Sequence, residues 1–173
     1  MSTENQVSKA SKYLAPELAK LIPNEIDDLM TKALDPKRLA VTEKLYKGEM
    51  LNSKFEIIYV QANNMSCVDY FDMTKSIIEL ANHSKVFVGG VLPPVMVFYI
   101  GLLETHEYQA EWRLDFVQRL LKVHKSNIRI LHGSVQGYVA SIAQFPLVGL
   151  IDNGLQALEK LHHIPFGQAI DLK

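Results

Sequence analysis

The sequence predicts an α+β or α/β sandwich, with helices packed on a mostly antiparallel sheet. Two observations predict it. Runs of β-branched and aromatic residues alternate with segments whose apolar residues recur every three or four positions. Several of those runs also follow one another across short glycine-bearing links, which suits hairpins better than the long crossovers of a parallel sheet.

Taken in order, residues 1–11 are small and polar, with Ser2, Thr3, Asn5, Ser8 and Ser11, and read as a flexible arm. Residues 12–48 read as a helical N-terminal segment. Leu14, Leu18, Leu21, Ile22, Ile26, Leu29, Met30, Ala33 and Leu34 follow helical spacing, interrupted at Pro16 and Pro23. Residues 49–173 make the α+β domain. It opens with Phe55–Val60, whose β-branched and aromatic texture is that of a buried strand. A helix follows over Asp69–Asn82, with Phe71, Ile77, Ile78 and Ala81 on helical spacing. Val86–Val88 and Val95–Ile100 read as strands meeting at a Gly89-Gly90 turn. Glu107–Lys125 places Trp112, Phe116, Leu120 and Leu121 on one helix face. Ile128–Leu131 and Val135–Ile142 read as two further strands, with Gly133 and Gly137 at turns or close backbone approaches. A helix over Asp152–His162 and a short strand within Pro165–Ile170 complete the chain.

Composition narrows the function classes. The chain has 173 residues, 48% of them hydrophobic, with 18 Lys and Arg against 19 Asp and Glu. That balance describes one domain with a real core, and a net charge of −1 argues against a nucleic-acid platform or a polybasic membrane binder. No apolar run is long enough to span a bilayer. The single cysteine, Cys67, excludes an intramolecular disulfide and a cysteine-based zinc cluster. No basic-then-apolar signal opens the sequence, so a cytoplasmic setting is expected.

The ordered series resembles the class III adenylate/guanylate cyclase catalytic domain. KYLAPELAKL (Lys12–Leu21) is similar to the helix that often precedes such domains, and FEIIYVQANNMS (Phe55–Ser66) sits where the family has its first strand. VMVFY (Val95–Tyr99) matches the strand after the family's GD turn, and HGSVQGYVAS (His132–Ser141) its glycine-spaced hairpin. VGLIDNGLQALE (Val148–Glu159) and PFGQ (Pro165–Gln168) resemble the segments that close the domain. The resemblance implies a ferredoxin-like βαββαβ core with cyclase topology. It also implies a dimer, either of this chain or with another cyclase-like chain, and a nucleotide as ligand.

The resemblance further implies that catalysis has been lost. In the family, two aspartates hold two divalent cations, an Asn orients the ribose, and an Arg stabilises phosphate charge. The metal aspartates align with Asn63 and Pro93, and the arginine aligns with Ala157. Leu150 stands for the base-reading acid, Gly89-Gly90 occupies the stretch of the base-reading lysine, and only the ribose-orienting Asn is kept, as Asn153. The expectation is a catalytically degenerate cyclase-like domain, a regulatory or protein-interaction module needing no cofactor, with Mg or Mn required only for residual cyclase activity. The alternatives are a nucleotide or small-ligand binder in the relic cleft, and a cyclase subunit whose partner supplies the metal ligands.

The remaining chemical residues read more simply. Asn63-Asn64 suits a turn after a strand, with a residual metal or ribose site as the sharper alternative. Pro93-Pro94 suits a stiff turn. The six histidines lack metal-ligand spacing and read as surface or hydrogen-bonded residues. Asp69 and Asp72, like Glu104 and Glu107, sit near helix starts, where acids favour the exposed amides. Cys67 reads as a partly buried, inert thiol, and Tyr108 and Trp112 as core.

Overall fold

The computed structural model describes residues 54–142, 145–150 and 154–172, together with Lys37, Ala40, Val41, Glu43, Lys44 and Asn52. The predicted arm and most of the 12–48 segment lie outside these residues; Lys37, Ala40, Val41, Glu43 and Lys44 are helical. The domain runs β1 (Lys54–Ala62), α1 (Cys67–Asn82), β2 (Phe87–Leu92), β3 (Val95–Ile100) and α2 (Gln109–His124), then a 3-10 turn (Lys125–Asn127). It continues through β4 (Ile128–Ile142), β5 (Phe145–Leu150), α3 (Gly154–His163) and β6 (Ala169–Asp171). The strands lie in the order β2-β3-β1-β4-β5, with β6 also on β4. Every pairing is antiparallel except β4 with β6. β1, α1, β2, β3, α2 and β4 form the ferredoxin-like βαββαβ core that the resemblance implies.

β1 is central because its sequence has two apolar faces. Ile58, Val60 and Ala62 join Met73 and Ile77 of α1 and Phe116, Val117 and Leu120 of α2 in one core layer. Phe55, Ile57 and Tyr59 join Val41, Leu131 and the α3 residues Ala157 and Leu161 in the other. Burial pushes the Tyr59 phenol up to about 12.

α1 begins where Ser66 caps it: Ser66 Oγ accepts from Asp69 N at 3.1 Å and donates to Asp69 Oδ2 at 2.7 Å. This is the acid-at-helix-start role expected of Asp69. At the other end, Lys37 Nζ donates to the carbonyls of Ala81, Ser84 and Val86, so a cation meets the negative end of the helix. On α2, Phe116 meets Phe98 of β3 edge-on, ring centroids 5.3 Å apart.

Several expectations are corrected. Gly89-Gly90 is not the turn: β2 runs through both glycines, across an irregularity in its register, and the chain reverses at Pro93-Pro94. Gly89 is required because the Tyr99 ring lies where a Cβ would project. Ile128–Leu131 and Val135–Ile142 are one strand, β4, whose distal half pairs with β5 over Phe145–Leu150. Gly133 sits inside it, and a Cβ there would meet Leu172 Cβ at 2.6 Å. Tyr108 is 47% exposed, whereas Trp112 packs half-buried against the core. Cys67 is exposed, because it opens the first turn of α1 rather than the strand end.

His132 is also unlike the surface histidine expected. It is buried, and its Nδ1 has no partner. It belongs to a polar cluster near the start of β1. Arg113 of α2 bonds Glu56 of β1 at 2.7 Å and Asp171 of β6 at 3.1 Å. Ser134 of β4 and Gln109 of α2 also bond Glu56. Desolvation, with the nearby Arg113 charge, holds the His132 imidazolium below its ordinary 6.5; Asp171 and Glu56 oppose the shift. The unfolded chain therefore takes up this proton first as the pH falls. His132's contribution is fully present above about pH 6.5 and declines below it. Melting temperatures measured across pH 5–8 are expected to fall below about pH 6.5, and less steeply in His132→Gln. Identical slopes for the two proteins would remove His132 as the cause.

Candidate functional site

The end of β1, the β2–β3 turn and the start of α1 converge on a cleft of about 650 Å³. Two backbone bonds set its geometry. Ala62 N donates to Pro94 O at 2.9 Å, drawing the proline turn against β1, and Asn63 N donates to Asn127 O at 2.7 Å, tying the strand end to the entry of β4. Asn63 Oδ1 accepts from Asn64 N at 2.8 Å, so the pair forms the local turn expected after the strand. Met65, Cys67, Tyr70 and Phe71 wall the α1 side, and Phe166 closes the opposite wall.

Arg129 of β4 builds that wall. Its Nε donates to Gln61 Oε1 at 2.9 Å, and its Nη1 donates to the carbonyls of His162 and Ile164 at 2.8 and 3.1 Å. The guanidinium lies 4.5 Å from the Phe166 ring centroid. The Arg129 guanidinium is thus directed into the carbonyls of His162 and Ile164 and the Gln61 side chain, with Nη2 3.4 Å from His162 Nδ1. Among the described residues, none that lines the cleft is charged.

The structure therefore brings Asn63 and Pro93 to one cleft, as the resemblance implied. It does not bring Ala157 there. Ala157 is buried on α3 with Leu161 against the opposite face of β1. Asn153 lies outside the described residues.

Comparison with solved structures fixes the fold. The monomeric guanylyl cyclase domain of the RhoGC fusion protein from the aquatic fungus Blastocladiella emersonii matches 70% of this chain and 83% of its own length, with a TM-score of 0.58 at 14% identity. A dimeric form of the same domain matches 70% of this chain and 80% of its own, at 0.58 and 15%. The guanylate cyclase domain of RhGC from Catenaria anguillulae, solved in complex with GTP, matches 70% and 79%, at 0.56 and 15%. The fold is that of a guanylyl cyclase catalytic domain. No family model and no curated protein matches the chain.

On this cyclase fold, the donor set at Asn63 and Pro93 does not fit a two-metal centre. Two divalent cations need clustered carboxylate oxygens. The cleft supplies none; Asn63 offers an uncharged carboxamide oxygen already held by Asn64 N, and proline has no side-chain donor. Among the described residues, no three His, Cys, Asp or Glu side chains are grouped to hold a metal.

Sequence reasoning missed Arg129 and the Glu56–Arg113 cluster. Arg129 gave no signal, because one cation in a short apolar run is unremarkable. The cluster did give one: Glu56 interrupts the apolar run Phe55–Val60, and Arg113 falls on the same helix face as Phe116 and Leu120.

Proposed function

We propose that this chain is a catalytically degenerate cyclase-fold domain acting in the cytoplasm as a regulatory or protein-interaction module, in dimeric form. One observation carries the reading: among the described residues, the cleft where Asn63 and Pro93 meet has no charged lining. Cyclisation of a nucleoside triphosphate needs cations or basic side chains to balance phosphate charge as pyrophosphate leaves. An uncharged wall supplies neither, while the frame that would carry such a site is intact. Among the described residues no helix is long and apolar enough to cross a membrane.

Purified protein incubated with ATP or GTP and Mg²⁺ or Mn²⁺ is expected to give no cyclic nucleotide above a mock-purified control. Product above that control sinks the degenerate reading. Sedimentation is expected to report twice the 19.6 kDa chain mass. The Blastocladiella domain has been solved in both monomeric and dimeric forms.

A further inference from the structure

The cleft that lacks cyclase chemistry keeps the dimensions of a ligand site. Its volume of about 650 Å³ falls inside the span of roughly 300–1,000 Å³ common to small-molecule pockets. Its described lining is mostly apolar, with the carboxamides of Gln61, Asn63 and Asn64 among it. Phe71 is 68% exposed at the cleft's edge, a large cost for an aromatic ring with nothing upon it, and Phe166 and the two prolines offer further faces. Among the described residues, nothing bonds the Asn64 carboxamide or Asn63 Nδ2. A carboxamide sets a donor and an acceptor side by side, the complement of a lactam or amide edge on a ring.

We propose that the cleft binds an uncharged planar heterocycle, stacked on Phe71 and Phe166 and held at its edge by Asn63 and Asn64. This rests on the reading that the cleft performs no cyclase chemistry. Charge selects the ligand class. An anion entering here gives up hydration without a cation in return from the described lining residues, and Arg129 behind Phe166 is turned away, its Nε and Nη1 bonded to Gln61 and the carbonyls of His162 and Ile164 and its Nη2 beside His162 Nδ1. An uncharged ring loses little hydration and gains stacking.

Cys67 is the chain's only cysteine, it is exposed, and it lines this cleft, so its alkylation reports occupancy. Iodoacetamide labelling followed by intact mass is run with theophylline, 2-quinolinone or quinazolin-4-one, and with ATP as the charged control. At least one heterocycle at about 1 mM is expected to slow labelling about fivefold or more and to raise the melting temperature, while ATP changes the rate less than about twofold. Phe71→Ala, at an exposed position, is expected to melt as the parent does and to lose the protection. The proposal is overturned if none of the three protects, if ATP protects equally, or if protection survives in Phe71→Ala. It is also overturned if Cys67 is shielded without ligand in proportion to protein concentration, which assigns the cleft to a second copy of the chain. Cyclic-nucleotide formation is measured separately. Product there defeats the degenerate reading whatever the labelling shows, and absent protection defeats the heterocycle alone.

Discussion

Arg113→Ala is expected to destabilise the domain by about 3–5 kcal/mol, the usual consequence of removing one partner from a buried ion pair. The Arg113 and Glu56 side chains are only 8% and 3% exposed. Without the guanidinium, Glu56 keeps Ser134 and Gln109 as hydrogen-bond partners but no countercharge. Asp171 loses its bond to α2, and β6 with it loses one of its few attachments. For a chain of this size the loss corresponds to a melting temperature lower by roughly 10 °C. The control is Glu56→Leu combined with Arg113→Met, which removes the stranded charge and is expected to cost less than the two single changes summed. Asp171 can then turn to water, being 30% exposed already. Urea melts of the parent, Arg113→Ala, Glu56→Leu, Arg113→Met and the double variant check this. A single-variant loss under about 1 kcal/mol shows that the pair is not holding α2 to the sheet.

Phe116→Ala is expected to cost a comparable amount, about 3–5 kcal/mol, by a different mechanism. The ring is 1% exposed and fills the space between α2 and β3, edge-on to Phe98. Alanine leaves a cavity between a helix and a sheet, each pinned by its own backbone bonds and poorly able to close it. Phe116→Leu keeps most of the volume and is expected to lose much less. The same urea titration distinguishes them through the midpoint, with the slope unchanged. Equal midpoints for the two variants would mean that the core relaxes around the hole.

Local signals were the legible ones. Phe55–Val60 is apolar on both faces because β1 is covered on both, and the Ser66–Asp69 spacing writes the start of α1 directly into the chain. Gly89 misled because a neighbour far away in sequence decides its meaning, whereas Gly133 marks one of the close backbone approaches expected. Gly89 makes room for the Tyr99 ring and Gly133 for Leu172, so both lie in strands rather than at turns. β5 was invisible for a related reason: Phe145–Leu150 contains Pro146, a residue that local reasoning removes from strands, yet it pairs with the distal half of β4. The cleft was half legible. Asn63 and Pro93 came together because Asn63 follows the end of β1 and Pro93 lies in the turn that leads into β3, the strand paired with β1. Ala157 did not, because α3 turns that position onto the opposite face of β1.

The central place of β1 has a consequence for how the chain is made. Ile57 pairs with Tyr99 along one edge and with Gly133 along the other. As synthesis proceeds, the central strand leaves the ribosome before either neighbour exists, and its second edge waits until β4 has emerged. Through that interval a nascent chain displays an unpaired strand suited to joining another copy of itself. Glu56 is the one charge between Phe55 and Ala62. Before it finds Arg113 it serves as a gatekeeper, burdening any stacked assembly with buried like charges. Glu56→Leu, offered above to relieve the folded core, is therefore expected to lower the soluble yield of newly made protein even when paired with Arg113→Met.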